Sequence, residues 1–198
     1  MKRSAWKQVL STVAALLVLP ASVAAITIAG GSAHAAERPV AREKNPPGDI
    51  PDSQVFVLFR SALGFSLKVP EGWARTDRAD GARFSDKYNT IDMSVSSASA
   101  APTAASVRTR EAADLVHSGR AVKIEAVKSV KLRSGPAILI AYSSNSEPNP
   151  VTNKQLRLEN HRYLVYRDGK LAAIDLSAPL GADNADQWKL ISDSFRWH

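Results

Sequence analysis

Gly64-Phe65-Ser66-Leu67-Lys68-Val69-Pro70-Glu71-Gly72-Trp73 is the stretch whose reading decides the fold. Phe65, Leu67 and Val69 share one parity and Ser66 and Lys68 the other, which is the period-two pattern of a half-buried strand. Pro70 has no N–H to give to a ladder and ends the strand. Glu71-Gly72 turns the chain, and Trp73 returns to the protein. Trp73, like Trp188 near the end of the chain, continues an apolar pattern and reads as core.

Working outward, residues 54–59 (Gln-Val-Phe-Val-Leu-Phe) form a β-branched and aromatic run, hence a preceding strand, with a turn over residues 60–64. Downstream, residues 74–81 are charged and turn-like. Residues 82–85 form a short strand. Residues 90–97 alternate, with Ile91, Met93 and Val95 on one face. Pro102 opens a helix over residues 103–118 that Gly119 stops. Its stripe of Ala104, Ala105, Ala112, Leu115 and Val116 is small enough to lie close against a sheet.

Residues 121–133 give a clean alternation, Val122, Ile124, Ala126, Val130 and Leu132 against charged neighbours, with Lys128 marking a bulge. Residues 137–142 are apolar at both parities, so that strand is covered on both faces. Residues 143–153 form a loop and 155–166 a strand. Asp168-Gly169 makes a tight hairpin to residues 171–178. A last helix follows, with Asn184 as N-cap and Gln187 as its capping-box partner. It presents Trp188, Ile191 and Phe195 on one side. The expected fold class is α+β: a mainly antiparallel sheet of about seven strands with helices on both faces, an α/β/α sandwich.

The amino terminus reads as an export leader. Lys2, Arg3 and Lys7 precede an apolar run from Val9 to Leu19, and Ala33-His34-Ala35 supplies small residues for cleavage after Ala35. The alternative is an uncleaved membrane anchor, since Val9 to Ala29 is 21 residues without a charge. Either way the domain lies outside the cytoplasm. The expected organisation is a leader over 1–35, a flexible proline-bearing linker over 36–53, and one domain over 54–198.

Bulk composition excludes several functions. With no cysteine, a disulfide, a thiol nucleophile, thiolate-held zinc and a lipid-modified cysteine are all ruled out. Without the leader's three basic residues, 23 basic face 19 acidic residues, about +4. That mild, scattered charge suits weak contact with an anionic membrane surface and gives no case for nucleic acid.

The stretch from Gly64 to Trp73, together with Phe84-Ser85-Asp86-Lys87 and the closing Trp188 to Trp197, resembles the PsbP-like group. That group includes the photosystem accessory protein PsbP, the nuclear-transport factor Mog and envelope lipoproteins of the LpqN type. The resemblance covers about residues 53–198. It implies an antiparallel sheet sandwiched by helices, and a protein that binds or assists other proteins rather than catalysing. The chain departs from the lipoprotein members in having no lipobox cysteine.

No constellation carries chemistry. His117 near a helix end reads as a favourable charge at the C-terminus. His161 beside Glu159 reads as a surface cross-strand pair, a third metal ligand being absent from the pattern. There is no Gly-x-Ser-x-Gly, no phosphate loop and no His-Glu-x-x-His. Asp183 and Asp186 fit a helix N-terminus. No catalytic, metal or cofactor-binding residue is assigned. Two basic groups are possible partner surfaces: Arg75, Arg78, Arg83 and Lys87 after Trp73, and Lys123, Lys131 and Arg133 near Lys128. The sequence therefore points to an exported, non-enzymatic accessory or binding protein of the cell envelope with a protein partner. The alternative is an envelope small-molecule carrier or enzyme with a site between sheet and helix.

Overall fold

The computed structural model describes residues 37–198, so the leader expected over 1–35 lies outside the described residues. Ten strands form two antiparallel sheets, where about seven strands in one sheet were expected. The larger has the order β3 (Ala74–Arg78), β4 (Gly81–Asp86), β5 (Asn89–Ser97), β9 (Lys170–Pro179), β8 (Arg157–Arg167), β7 (Gly135–Asn145), β6 (Lys123–Leu132). The smaller has the order β1 (Phe56–Ser61), β2 (Phe65–Pro70), β10 (Arg196–Trp197). The quoted stretch is therefore the central strand of the small sheet.

Two apolar layers form, one on each face of the large sheet. On one face, α1 (Ala104–Thr109) and α2 (Glu111–Ser118) bury Val107 and Ala112 against Val127, Ile138, Ile140 and Leu164. On the other, the small sheet and α3 (Ala185–Ser194) bury Phe65, Leu67, Trp188, Ile191 and Phe195 against Ile91, Met93, Ile174 and Leu176. Helices thus lie on both faces, and the small sheet shares one face with α3. Phe65 is the hub of this second layer: its ring stacks on Phe195 with centroids 5.8 Å apart and meets Phe59 and Trp197 edge-on. Trp73, expected to close the core, is only half-buried at its margin.

Four sequence expectations change for identifiable reasons. Residues 74–78 are an edge strand, fully exposed, whose charges protect the edge instead of burying a face. The single helix over 103–118 is two, broken at Arg110 (φ −117°, ψ −83°). There the Thr109 hydroxyl donates to the Ser106 carbonyl at 3.0 Å, a local bond that competes with helix continuation. The bulge in β6 falls between Ile124 and Ala126, not at Lys128. Glu125 turns outward there, accepting from Lys123 Nζ at 3.1 Å. This extra residue switches parity along β6, so that Ile124 packs under the helices while Leu132 packs on the opposite face.

The fourth concerns the ends of the sheet. Residues 37–53 have no regular secondary structure, yet they are no loose linker: they form a strap laid across the strand ends. Asn145 holds one end, donating to Glu37 Oε1 at 2.8 Å and to the Arg38 carbonyl at 2.9 Å while accepting from the Val40 amide at 3.0 Å. Asn184 holds the other, accepting from the Ile50 amide at 2.7 Å and donating to the Gly48 carbonyl at 3.0 Å. Its side chain makes no helix-capping bond, and Gln187 donates to Asp52 at 3.1 Å, so the expected capping box is replaced by strap contacts. Gly48 sits at φ +114° with Pro179 only 2.9 Å from where a Cβ would stand, so a side chain is barred twice over. Within the strap, Ile50 is buried.

Candidate functional site

The two basic groups fare differently. In the first, each arginine meets an aspartate. Arg75 pairs with Asp77 at 2.8 Å, Arg78 with Asp92 at 2.6 Å and Asp80 at 3.2 Å, and Arg83 with Asp92 at 3.6 Å. The Asp92 hydrogen bond raises the Arg78 guanidinium further above its ordinary value. Arg75 also lies 4.6 Å over the Phe59 ring, a cation–π contact that holds β3 to β1. Lys87 stands apart in the β4–β5 turn. This face is a neutralised edge.

The second group splits. Lys123 is at the far end of β6, paired to Glu125. Lys131 and Arg133 are at the near end, where the topology brings them to α3. Lys68 of β2, Lys189 of α3 and Arg196 of β10 arrive at the same place. A groove of about 510 Å³ runs here, with Lys68, Arg133, Lys189 and Arg196 around the exposed side chains of Leu58 and Leu190. A second hollow of about 290 Å³ lies on the other side of α3, bordered by Lys128, Lys131 and Lys189 and floored by His161, Tyr163 and Trp188.

Two carboxylates moderate this charge, Asp186 and Asp193. Asp193 accepts from Lys189 Nζ at 2.5 Å and from the Arg133 amide at 3.3 Å. The Lys189 bond, against a cost of burial, holds the Asp193 carboxyl below its usual range. Among the described residues, Lys68, Lys128, Lys131 and Arg196 have no carboxylate partner within 4.0 Å. Arg196 instead donates to the carbonyls of Asp193 and Phe195. The sites flanking α3 are thus cationic, with an apolar centre.

The lining has little that could act covalently. Ser194, the groove's hydroxyl, accepts from the Lys68 amide at 2.7 Å and donates to the Ile191 carbonyl at 2.6 Å. His198 Nε2 lies 2.8 Å from Ser66 Oγ, but Ser66 is buried at 2 % exposure, out of reach of a substrate. His161 is packed against Trp188, ring centroids 4.9 Å apart. Burial, aided by Lys128, lowers its pKa below 6.5, although Glu159 lies 3.6 Å from Nε2 and would favour the cation. Among the described residues no three His, Asp or Glu side chains are placed to hold a metal ion. His117 sits exposed in the last turn of α2.

On the opposite face an ion ladder crosses the sheet. Asp92 stands opposite Asp175 in register, and Arg162 bonds Asp175 through Nε at 2.5 Å. Burial raises the Asp175 carboxyl above its ordinary value, with Arg162 opposing. Burial, with Asp175 nearby, pushes Tyr142 up to about 12. The ladder runs across β5, β9 and β8 on this face.

Sequence reasoning found Lys131 and Arg133 and missed Lys68, Lys189 and Arg196. The missed residues sit on the polar parity of β2, on the outer side of α3 and on β10. Only the packing of α3 along β2 makes them neighbours.

No protein-family model and no curated protein matches the sequence. Solved structures do match by shape. Cyanobacterial PsbP (CyanoP) from Synechocystis sp. PCC 6803 aligns with a TM-score of 0.53 at 16 % identity, over 78 % of this chain and 100 % of that one. LpqN, described as involved in cell envelope biogenesis of Mycobacterium tuberculosis, aligns at 0.46 and 13 % identity, over 73 % of this chain and 91 % of that one. At 16 % identity the likeness to CyanoP concerns the fold alone. The chain has the PsbP-like fold.

Proposed function

We propose that this chain is an exported, non-enzymatic binding protein of the cell envelope, working through the cationic groove beside α3. The observation that carries this reading is the convergence of Lys68, Arg133, Lys189 and Arg196 on a groove that also exposes Leu58 and Leu190. Stability alone gives no reason to gather like charges around exposed leucines. The leader motif supports export. No helix among the described residues is long and apolar enough to cross a membrane. The engaged Ser194 and the buried Ser66 support binding over catalysis.

The test is retention on immobilised envelope extract. Export is checked first by fractionating cells that express the full chain. The reading expects the chain outside the cytoplasm and retention that falls in Lys68→Glu/Lys189→Glu but not in Arg75→Glu/Arg83→Glu. Cytoplasmic accumulation, or a small molecule co-purifying and turned over in place of envelope retention, overturns it.

A further inference from the structure

We infer that the face formed by β1, β2, β10 and α3 docks on an anionic phospholipid bilayer; this rests on the binding role proposed above and names its partner. Of the six large apolar side chains exposed among the described residues, two line this groove, Leu58 and Leu190, exposed by 50 and 38 %. Val55 and Val57 have the opposite parity to Leu58, and Val116 and Val151 lie elsewhere. Lys68 and Arg196, without carboxylate partners, line the groove with these leucines, while every arginine of the β3–β4 edge is neutralised. Charge complementarity therefore selects an anionic partner for this face.

Side-chain type selects a bilayer over a protein. Protein interfaces are depleted in lysine and centred on buried aromatic or arginine anchors. Here the groove and the hollow flanking α3 carry four lysines (Lys68, Lys128, Lys131, Lys189) to two arginines (Arg133, Arg196), and the groove's apolar side chains are the aliphatic Leu58 and Leu190. Long lysine stems lie along apolar surface and carry their charge out to the headgroup level. Leu58 and Leu190 then enter the boundary between headgroups and acyl chains, and nearby cations add attraction to an anionic leaflet. Asp193 pairs with Lys189 and Arg133, so the attraction rests on Lys68, Lys128, Lys131 and Arg196.

The experiment is co-sedimentation of the compact unit Ala35–His198 with vesicles of phosphatidylcholine alone and of phosphatidylcholine mixed with phosphatidylglycerol, at low and high salt. The expected result is binding only to the anionic vesicles and weakening with salt. Each cation near such a surface strengthens partitioning about fivefold, so Lys68→Glu/Lys131→Glu/Arg196→Glu should lower it by more than about a hundredfold. Lys123→Glu, on the far end of β6, should leave it unchanged. Leu58→Ser/Leu190→Ser should abolish the binding that survives high salt. Equal thermal midpoints verify that the variants are folded. No binding of the wild-type unit to anionic vesicles at low salt, or equal binding by the triple variant, overturns the inference. If groove-dependent retention on envelope extract persists in that case, the binding role stands and the lipid partner falls. If retention is lost as well, both fall.

Discussion

The Ile50 amide donates to Asn184 Oδ1 at 2.7 Å, so the residue that opens α3 is also the latch of a strap from 134 positions earlier. Asn184 is buried, and its amide nitrogen satisfies Gly48 at the same time. Asn184→Ala would leave the Ile50 amide and the Gly48 carbonyl without these partners and cost about 2–4 kcal/mol. Asn184→Asp separates this latch from a simple N-cap. An aspartate is a good cap, yet here it would lack the donor for Gly48 and carry a buried charge. Chemical denaturation should show Asn184→Asp clearly destabilised; a stability equal to wild type would favour the cap.

The aromatic hub gives a second expectation. Phe65 is fully buried and in contact with three other rings, whereas Trp73 is at the margin. Phe65→Ala should cost about 3–5 kcal/mol. Trp73→Ala should cost about half of that or less, because much of its ring already meets water. Denaturant midpoints at constant slope would check the order, and a larger loss for Trp73 would contradict it.

Acid should loosen the strap. The Asn145 hydrogen bond, with help from Gln155 and Arg120 and against the cost of burial, holds Glu37 below its ordinary 4.5. A carboxylate with a depressed folded pKa binds fewer protons folded than unfolded, so stability falls with falling pH. Its contribution is present above about 4.5 and is lost as the pH drops through the folded value. Glu37→Gln removes that dependence. The difference in thermal midpoint between wild type and Glu37→Gln should therefore shrink on going from neutral pH to below about 4.

His161 offers a spectroscopic check. Burial, then Lys128, keeps its pKa below 6.5. The neutral ring's contribution to stability is present above about 6.5 and lost as pH falls through the folded value. Imidazole resonances followed by NMR should titrate below 6.5 in the wild type, move upward in Lys128→Ala, and remain below 6.5 there because burial is the larger cause.

What the sequence displayed was whatever repeats. The alternation of Phe65, Leu67 and Val69, the apolar side of α3, and the Asp168-Gly169 turn (φ 47° and 81°) are all local patterns, and each stands where the pattern puts it. Ala74–Arg78 escaped because an exposed edge strand has no apolar face to show. Glu125 escaped because one inserted residue reverses parity without altering composition. The roles of Asn145 and Asn184 depend on a strap more than 100 residues away in sequence. The groove was partly legible: Arg133 stands out in sequence beside Lys131 of the neighbouring hollow, whereas Lys68, Lys189 and Arg196 meet Arg133 only through the packing of α3 against the small sheet.

The central claim is that the α3 face, not the β3–β4 edge, is the working surface. Hydrogen–deuterium exchange of the unit Ala35–His198, with and without envelope membranes, tests it most directly. The account predicts added protection in β1 and α3 and none in β3 or β4. Protection confined to β3 and β4, or no change anywhere, would contradict it.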